Sequence, residues 1–387
     1  MNRVAIIGAS MTKFGKRDEW LKDLLIEAAM ECLADPGVSP QAVDHLYVGN
    51  MASGEFEGQT GVMNMLANDL QAQPAYTQRV DQTSASGGGG LYAAWQSVAS
   101  GASDLTLLVG GEKMSHRSTP ETTDIIASIT HPVEYKHGVT LPSFAGLAAR
   151  YYLNTYDVPR ESLAKVAVKN HRNGVDNPNA QFQKEVSIDT VLDSPIVADP
   201  LRLYDFCPIS DGSAGLLLCP EETAAEYTDD YIVISGIGGA TGTHVVHERA
   251  DPAVLSGVVE SASHAYTMAD REPEDVDVAE LHDMFTILEF LQSEGVGFFE
   301  QGEGWRGIED GTTHRNGALP INTSGGLKSK GHPLGASGVA QIHELYEQLL
   351  GAAGPRQVPA SVGLACNVGG FGNCVTTTIV ESREAGA

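Results

Sequence analysis

Residues 325–338 have the sequence GGLKSKGHPLGASG, and His332 lies in this segment between a glycine and a proline. Five glycines within fourteen residues predict an irregular loop around the histidine. The apolar residues that follow recur at helical spacing, at Val339, Ile342, Leu345 and Leu349. The loop therefore places an imidazole at a helix N-terminus, where unpaired N–H groups and the helix dipole stabilise negative charge. We predict that His332 serves anion binding or proton transfer, although a structural turn with an incidental histidine has the same pattern.

A second glycine-rich segment follows Ser84, where residues 87–90 are all glycine. Leu91, Trp95 and Val98 then recur at helical spacing, so this run falls in the first turns of a predicted helix. Each glycine within a helix costs roughly 1 kcal/mol relative to alanine, and close approach of another backbone is the expected compensation. Ser84 precedes that helix, either as an ordinary N-cap or as a functional side chain.

Strand-like and helix-like segments alternate along the chain, which favours an α/β fold. The segment VAIIG at residues 4–8 is typical of a buried strand. A faint repeat is also present, because PQAVD at 40–44 recurs as PEDVD at 273–277, and ASG at 85–87 recurs at 336–338. The shared order predicts a duplicated α/β unit with two equivalent helix N-termini.

The pattern is less regular between about residues 116 and 209, and insertions of this kind usually form loop subdomains over a site. We therefore predict an N-terminal half from residues 1–115 and 210–230, an inserted loop domain at 116–209, and a C-terminal half at 231–387. The glycine-rich segment 231–242 imitates a dinucleotide fingerprint. Its third glycine comes one residue late and no helical pattern follows, which disfavours a nicotinamide enzyme.

Charge is the most informative property of the composition, because 50 acidic and 24 basic residues give a formal net charge of −26. Such self-repulsion destabilises a compact state unless concentrated salt screens it, so we expect a halophilic protein, with an acidic mesophilic enzyme as the alternative. Nucleic acid is disfavoured as a partner, since no basic stripe offers phosphate contacts. The five cysteines are scattered without a C-x-x-C pair, which argues against disulfides and a zinc module. No long apolar run or signal peptide is present, so a cytoplasmic protein without a membrane partner is expected.

Four motifs occur in an order that resembles the thiolase family, and the resemblance extends over nearly the whole chain. They are Ser84-Ala85-Ser86-Gly87, His282-Asp283-Met284-Phe285, GHPLGASG at 331–338 and CNVGGFG at 366–372. The second motif resembles the His-Asp-x-Phe form that is common in the archaeal and sterol-carrier-type branches of the family. The resemblance implies the thiolase fold, an α/β architecture with duplicated halves in a layered αβαβα arrangement and an inserted loop domain.

The resemblance also implies a role for each matched residue. Ser84 stands where the family has a nucleophilic cysteine, and it is expected to take an acyl group from acyl-CoA with His332 as general base. Cys366 is expected to remove the α-proton of a second acyl-CoA, so that the resulting carbanion attacks the acyl-enzyme. A metal or redox cofactor is not expected, and coenzyme A thioesters are the substrates.

Both steps place negative charge on a thioester oxygen, so the resemblance implies two oxyanion holes. His282 and His332 form one, and the backbone N–H groups of Ser84 and of Val368 and Gly369 form the other. Val368 differs from the glycine that is usual in the classical branch. Substrate contacts are expected from four positions, namely Phe285, Ser329, Gly331 and Phe371.

The predicted function is therefore a β-ketothiolase, an acyl-CoA C-acyltransferase that condenses short-chain acyl-CoA with acetyl-CoA or cleaves 3-ketoacyl-CoA by thiolysis. A homodimer or larger oligomer is expected, and the archaeal resemblance implies a small OB-fold partner. A degenerate acyl-CoA-binding subunit and an acyl-CoA hydrolase are the alternatives, because an oxygen ester is a poorer acyl donor to carbon than a thioester. The hydrolase lacks support from a G-x-S-x-G elbow in the sequence.

Overall fold

The computed structural model describes residues 2–383. Its strands are β1 (Val4–Met11), β2 (His45–Gly49), β3 (Tyr76–Val80), β4 (Thr106–Glu112), β5 (Ile196–Ala198), β6 (Leu201–Arg202), β7 (Gly212–Pro220), β8 (Ile232–Thr241), β9 (Val278–Leu281), β10 (Val362–Gly369) and β11 (Cys374–Ser382). Its helices are α1 (Leu21–Ala34), α2 (Ser53–Glu57), α3 (Val62–Asp69), α4 (Ser86–Ala99), α5 (Thr119–Ala127), α6 (Pro132–Tyr135), α7 (Leu141–Thr155), α8 (Arg160–Val175), α9 (Ile188–Leu192), α10 (Glu221–Ala224), α11 (Ser256–Ala269), α12 (Thr286–Gly295), α13 (Arg306–Glu309), α14 (Gly326–Lys330) and α15 (Ser337–Leu349). In this part of the chain, no helix is long and apolar enough to cross a membrane.

Nine of the described strands form one mixed sheet in the order β3-β2-β4-β7-β1-β8-β11-β10-β9. The sheet consists of two halves with matching strand directions. In the N-terminal half, β2 is parallel to β4, β4 is antiparallel to β7, and β7 is antiparallel to β1. In the C-terminal half, β9 is parallel to β10, β10 is antiparallel to β11, and β11 is antiparallel to β8. This correspondence confirms the duplication that the internal repeat predicted.

Two helices lie between the halves of the sheet. α4 and α15 contact each other and strands of both halves, whereas α1 packs on the N-terminal half and α11 on the C-terminal half. Side chains alternate along each strand, so Val4 and Ile6 of β1 belong to the central core while Ala5 and Ile7 pack beneath α1. Each half of the sheet forms one layer, with α4 and α15 between the two halves and α1 and α11 on the outside. This order of helix, sheet, helix, sheet and helix confirms the predicted αβαβα arrangement.

The glycine run at the start of α4 allows the two central helices to meet at their N-termini. A Cβ atom on Gly87 would lie 2.8 Å from the carbonyl oxygen of Gly335, and one on Gly88 would lie 2.8 Å from Asn367 Oδ1. Both separations are too short for a side chain in a close-packed interior. The predicted close approach is therefore confirmed, and it brings the segment before α4 next to the loop that contains His332.

The segment between β4 and β7 contributes α5–α9 and the β5–β6 hairpin. Leu141, Phe144 and Tyr152 of α7 share a hydrophobic cluster with Phe290 of α12 and Leu364 of β10. This segment is therefore packed against the C-terminal half of the fold. The boundaries that we gave for the three domains stay a prediction.

Candidate active site

Ser84 lies two residues before the start of α4, after Thr83, whose φ is positive at 55°. Its side chain is 2% exposed, and its hydroxyl donates a hydrogen bond to the carbonyl oxygen of Val368 at 3.2 Å. A Cβ atom on Gly369 would lie 2.6 Å from Thr83 Oγ1, so the β10–β11 loop adjoins the segment before α4. The N-cap position of α4 is Ala85. Ser84 is therefore not the N-cap that the sequence allowed.

The loop around His332 is present, but the short helix α14 precedes it, which the glycine content did not predict. The C-cap of that helix is Gly331, whose φ of 114° turns the chain into the loop. The backbone N–H of His332 donates to Ser210 Oγ at 2.9 Å, and the N–H of Gly335 donates to Glu112 Oε2 at 3.2 Å. These hydrogen bonds attach the loop to the N-terminal half of the molecule, directly before α15.

Ser337 determines which nitrogen of His332 carries the proton. Ser337 Oγ lies 2.7 Å from His332 Nδ1 and 3.0 Å from the carbonyl oxygen of Pro333. Because a carbonyl only accepts, we assign the hydroxyl proton to Pro333, and Ser337 Oγ then accepts from Nδ1–H. Nε2 is left unprotonated, and it has no hydrogen-bond partner among residues 2–383. His332 is thus prepared to accept a proton at Nε2.

Asn367 gives His282 the opposite tautomer. The backbone N–H of Gly88 donates to Asn367 Oδ1 at 3.0 Å, so the amide group Nδ2 is the one that donates to His282 Nδ1, at 2.9 Å. Because Nδ1 accepts, the neutral ring carries its proton on Nε2. Within the described chain this Nε2 also lacks a partner. The His282 and His332 rings meet edge to face with their centroids 4.8 Å apart. A ring that carries its proton on Nε2 therefore packs against a ring whose Nε2 can accept one.

Burial keeps both imidazoles neutral. His282 is 0% exposed, and burial together with the neighbouring His332 and Lys330 holds the pKa of its ring well below the usual range. Burial also lowers the pKa of His332 to about 3. Negative charge that develops beside these rings would favour their charged forms. The pair is therefore neutral in the empty site and able to respond to an oxyanion.

A cavity of about 150 Å³ reaches Ser84 and His332. Its other lining is mainly apolar and comes from both halves and from the inserted segment, including Met114, Ile126, Leu141, Phe206, Phe285 and Leu334. A dry cavity of about this volume holds one benzene-sized molecule. The site therefore has room for a short acyl group at the two residues that could transfer it.

Cys366 does not lie with these residues. It belongs to the face of β10 that packs toward α11, where Thr377 Oγ1 donates to its thiol at 3.7 Å and lies 2.8 Å from Ser261 Oγ. Burial raises the pKa of the Cys366 thiol to about 12. Since side chains alternate along a strand, the next residue, Asn367, is the one directed to His282. The Cys366 thiol thus lies on the other face of β10 from Asn367, and the role that the resemblance gives to Cys366 stays a prediction.

The predicted substrate contacts fall into two groups. Phe285 lines the cavity. Gly331 provides the turn before His332, Ser329 donates its hydroxyl to a backbone carbonyl of the inserted segment at 2.8 Å, and Phe371 packs on the ring of Phe144. In the part of the chain that the structure describes, these three residues do not line the cavity.

Three residues of the site were not identified from the sequence, namely Asn367, Ser337 and Cys207. The first two lie inside matched motifs, but their roles depend on side-chain directions that motif spacing does not give. Cys207 lies outside the motifs and lines the cavity. A thiol before a proline at the end of the inserted segment was the available signal, and it is weak.

Comparisons with known proteins agree on one family. Residues 4–222 match the family model described as thiolase, N-terminal domain, and residues 238–382 match the thiolase C-terminal domain-like model. An acetyl-CoA acetyltransferase of Methanothermobacter thermautotrophicus is 42% identical over 381 residues, which cover 98% of this chain and 99% of the relative. Sterol carrier protein 2 of Homo sapiens is 34% identical, over 98% of this chain and 72% of its own length.

Among solved structures, the Ltp2-ChsH2(DUF35) aldolase superposes with a TM-score of 0.86 over 98% of both chains. Its sequence identity of 23% makes this a likeness of fold. The family models and the two relatives, in contrast, extend across both halves of the chain and all four motifs. The chain belongs to the thiolase family, and it is an acyltransferase.

Proposed function

We propose that this protein is a short-chain acyl-CoA C-acyltransferase of the β-ketothiolase type that forms its acyl-enzyme on Ser84. One observation carries the proposal, because Ser84 and His332 line the same small cavity while the His282 ring lies against His332. A nucleophile, a base and a hydrogen-bond donor thus meet where one short acyl group fits. The similarity to an acetyl-CoA acetyltransferase supports acetyl-CoA as one substrate.

In the acylation step, His332 Nε2 accepts the Ser84 proton as Ser84 Oγ attacks the thioester carbonyl. Rotation of the Ser84 side chain first exchanges its hydrogen bond to Val368 for one directed toward the imidazole. The imidazolium then returns the proton to the departing coenzyme A thiolate. An alcohol is a weaker acid than a thiol, so this step depends on His332 more strongly than it would with a cysteine nucleophile.

His282 supplies the first oxyanion contact in this proposal, because its Nε2–H is fixed as a donor by Asn367. Protonated His332 adds a second donor once it has taken the Ser84 proton. The backbone N–H groups of Ser84 and of Val368 and Gly369 form the second hole. Hydrogen bonds in such a buried site are stronger than in water, which favours the charged transition state.

We also propose that the working assembly is larger than one chain. Strand β3 ends the sheet order, so one edge of the described sheet is open to pairing with a second copy. The structurally similar aldolase is named for two proteins, Ltp2 and ChsH2(DUF35), which supports a small partner subunit for this chain. The net charge of −26 supports a cytoplasm rich in salt as its setting.

Coenzyme A release tests the proposal, measured at molar salt with acetyl-CoA and with acetoacetyl-CoA plus coenzyme A. We expect Ser84→Ala and His332→Ala to lower turnover by at least about 10³-fold, because both act in one proton-coupled step. Ser100→Ala, an exposed serine after the far end of α4, is the matched control and should retain wild-type turnover. Wild-type turnover in Ser84→Ala refutes the proposed nucleophile. Release of coenzyme A without ketoacyl product would indicate a hydrolase, and no release at all would indicate a binding subunit.

A further inference from the structure

Cys207 lines the cavity beside Ser84 and His332 but has no part in the acylation step. Its backbone N–H donates to the carbonyl oxygen of Met284 at 2.9 Å, which fixes its position next to the His-Asp-Met-Phe motif. Cys207 is partly exposed. Cys366, in contrast, is 0% exposed and lies on the face of β10 that packs toward α11. Among the cavity-lining residues that the structure describes, His332 and Cys207 are the two whose side chains titrate.

We propose that Cys207 transfers the proton at the α-carbon of the acyl-CoA substrate, the step that the family resemblance assigned to Cys366. This inference rests on the proposed function, since it requires an acyl-enzyme on Ser84. His332 serves the Ser84 oxygen and the oxyanion in the proposed function, which leaves the α-carbon to a second group. The position of Cys207 in the same cavity makes it that group.

In thiolysis, the proposed reaction transfers protons through His332 and Cys207 and breaks one carbon–carbon bond. Ser84 Oγ attacks the 3-keto carbon, its proton passes to His332, and the C2–C3 bond breaks to release the enolate of acetyl-CoA. The Cys207 thiol protonates that enolate at C2 and becomes a thiolate. The His332 imidazolium passes its proton to the Cys207 thiolate. Coenzyme A then enters, His332 accepts its thiol proton as the sulfur attacks the acyl group, and the imidazolium gives that proton to the departing Ser84 oxygen. In condensation the same transfers run backwards, with the Cys207 thiolate as the base.

The surroundings of Cys207 suit a proton donor. Burial raises the pKa of its thiol to about 12, and Asp283 acts in the same direction, so the thiol is protonated at neutral pH. The Lys328 side chain, 2% exposed, lowers the pKa of Cys207 and so favours the thiolate that remains after transfer. Lys328 Nζ lies 3.4 Å from His171 Nε2 and 5.7 Å from the centroid of the Tyr204 ring, which holds the ammonium in place.

Deuterium exchange at the methyl carbon of acetyl-CoA in D₂O tests the proposal, together with mass spectrometry of the Ser84 acetyl adduct on the same sample. We expect Cys207→Ser and Cys207→Ala to slow exchange by at least about 10²-fold, the usual contribution of a positioned acid or base. The Ser84 adduct should form in both variants as in wild type, which also shows that they are folded. Cys32→Ala, which removes a buried thiol on the core-facing side of α1, is the matched control and should exchange at the wild-type rate.

Exchange at the wild-type rate in the Cys207 variants overturns the inference, as does a selective loss of exchange in Cys366→Ala. Loss of both exchange and adduct in Cys207→Ser also contradicts it, because a residue that acts only at the α-carbon leaves acylation intact. Failure of the proposed function is a separate outcome, since the adduct would then be missing from the wild-type protein itself.

Discussion

Asn367 Nδ2 lies 2.9 Å from His282 Nδ1, while Asn367 Oδ1 accepts a hydrogen bond from the backbone N–H of Gly88 at 3.0 Å. The N–H of a peptide can only donate, so Gly88 fixes the orientation of the amide, and the amide fixes the tautomer of the imidazole. The start of α4 is thus connected to the side chain that we propose to stabilise the oxyanion. Asn367 is a positioning residue in this account.

Asn367→Ala should lower kcat by about 10- to 100-fold, somewhat less than the loss of an oxyanion donor itself. The variant removes the partner of His282 Nδ1, so its ring is no longer held with the proton on Nε2. Nitrogen NMR of labelled histidine should show His282 as the Nε2–H tautomer in wild type and as a tautomer mixture in the variant. Asn373→Ala breaks a similar bond to His244 Nδ1 near the surface and is the matched control. An unchanged His282 tautomer in Asn367→Ala would contradict the assignment.

Gly88→Ala should destabilise the fold by about 1–3 kcal/mol, because the new methyl group would overlap Asn367 Oδ1 in a packed interior. The same displacement should reduce turnover, since Asn367 would no longer hold His282. Gly61→Ala is the control, with a φ of −91° and open space around its Cβ position. Chemical denaturation and turnover measured on both variants check the prediction. A Gly88→Ala protein with normal stability and turnover would show that the close approach is not required.

His332→Gln should alter the dependence of stability on pH. An unfolded histidine titrates near pH 6.5, whereas burial lowers the pKa of His332 to about 3 in the folded protein. Between those values the unfolded chain binds more protons, so the wild type loses stability as pH falls. Relative to wild type, the variant should gain about 1.4 kcal/mol per pH unit on acidification from about pH 6 to pH 4.

Denaturant titrations of both proteins at several pH values measure that difference. The exposed His137→Gln serves as the matched control and should leave the pH dependence of the wild type in place. A stability difference between wild type and His332→Gln that does not vary with pH would mean that His332 is not buried as a neutral ring.

Stability should rise steeply with salt, because the chain carries a formal net charge of −26. The Debye length falls from about 10 Å at 0.1 M salt to about 3 Å at 1 M, which suppresses repulsion between surface carboxylates. Thermal unfolding in increasing KCl should therefore show a midpoint that increases well into the molar range. Full stability in dilute buffer would instead identify an acidic protein that does not depend on salt.

Much of the fold could be predicted from the sequence pattern, whereas only part of the site could. The repeats at 40–44 and 273–277 predicted the duplication, and residues 87–90 predicted a close backbone approach that Gly335 provides. The direction of the Cys366 side chain could not be predicted, because a motif gives positions along the chain, whereas the two faces of β10 decide which side chain reaches the cavity. Cys207 comes from a distant segment, and its nearness to Ser84 is a consequence of tertiary packing.

The central claim is that Ser84 carries the acyl group, and peptide mass spectrometry tests it most directly. The protein is incubated with acetyl-CoA at high salt, quenched with acid and digested. We expect an acetyl group on the peptide that contains Ser84, absent in Ser84→Ala and retained as a thioester in Ser84→Cys. An acetyl group on Cys207 or Cys366, or full turnover with no covalent adduct on Ser84, would contradict it.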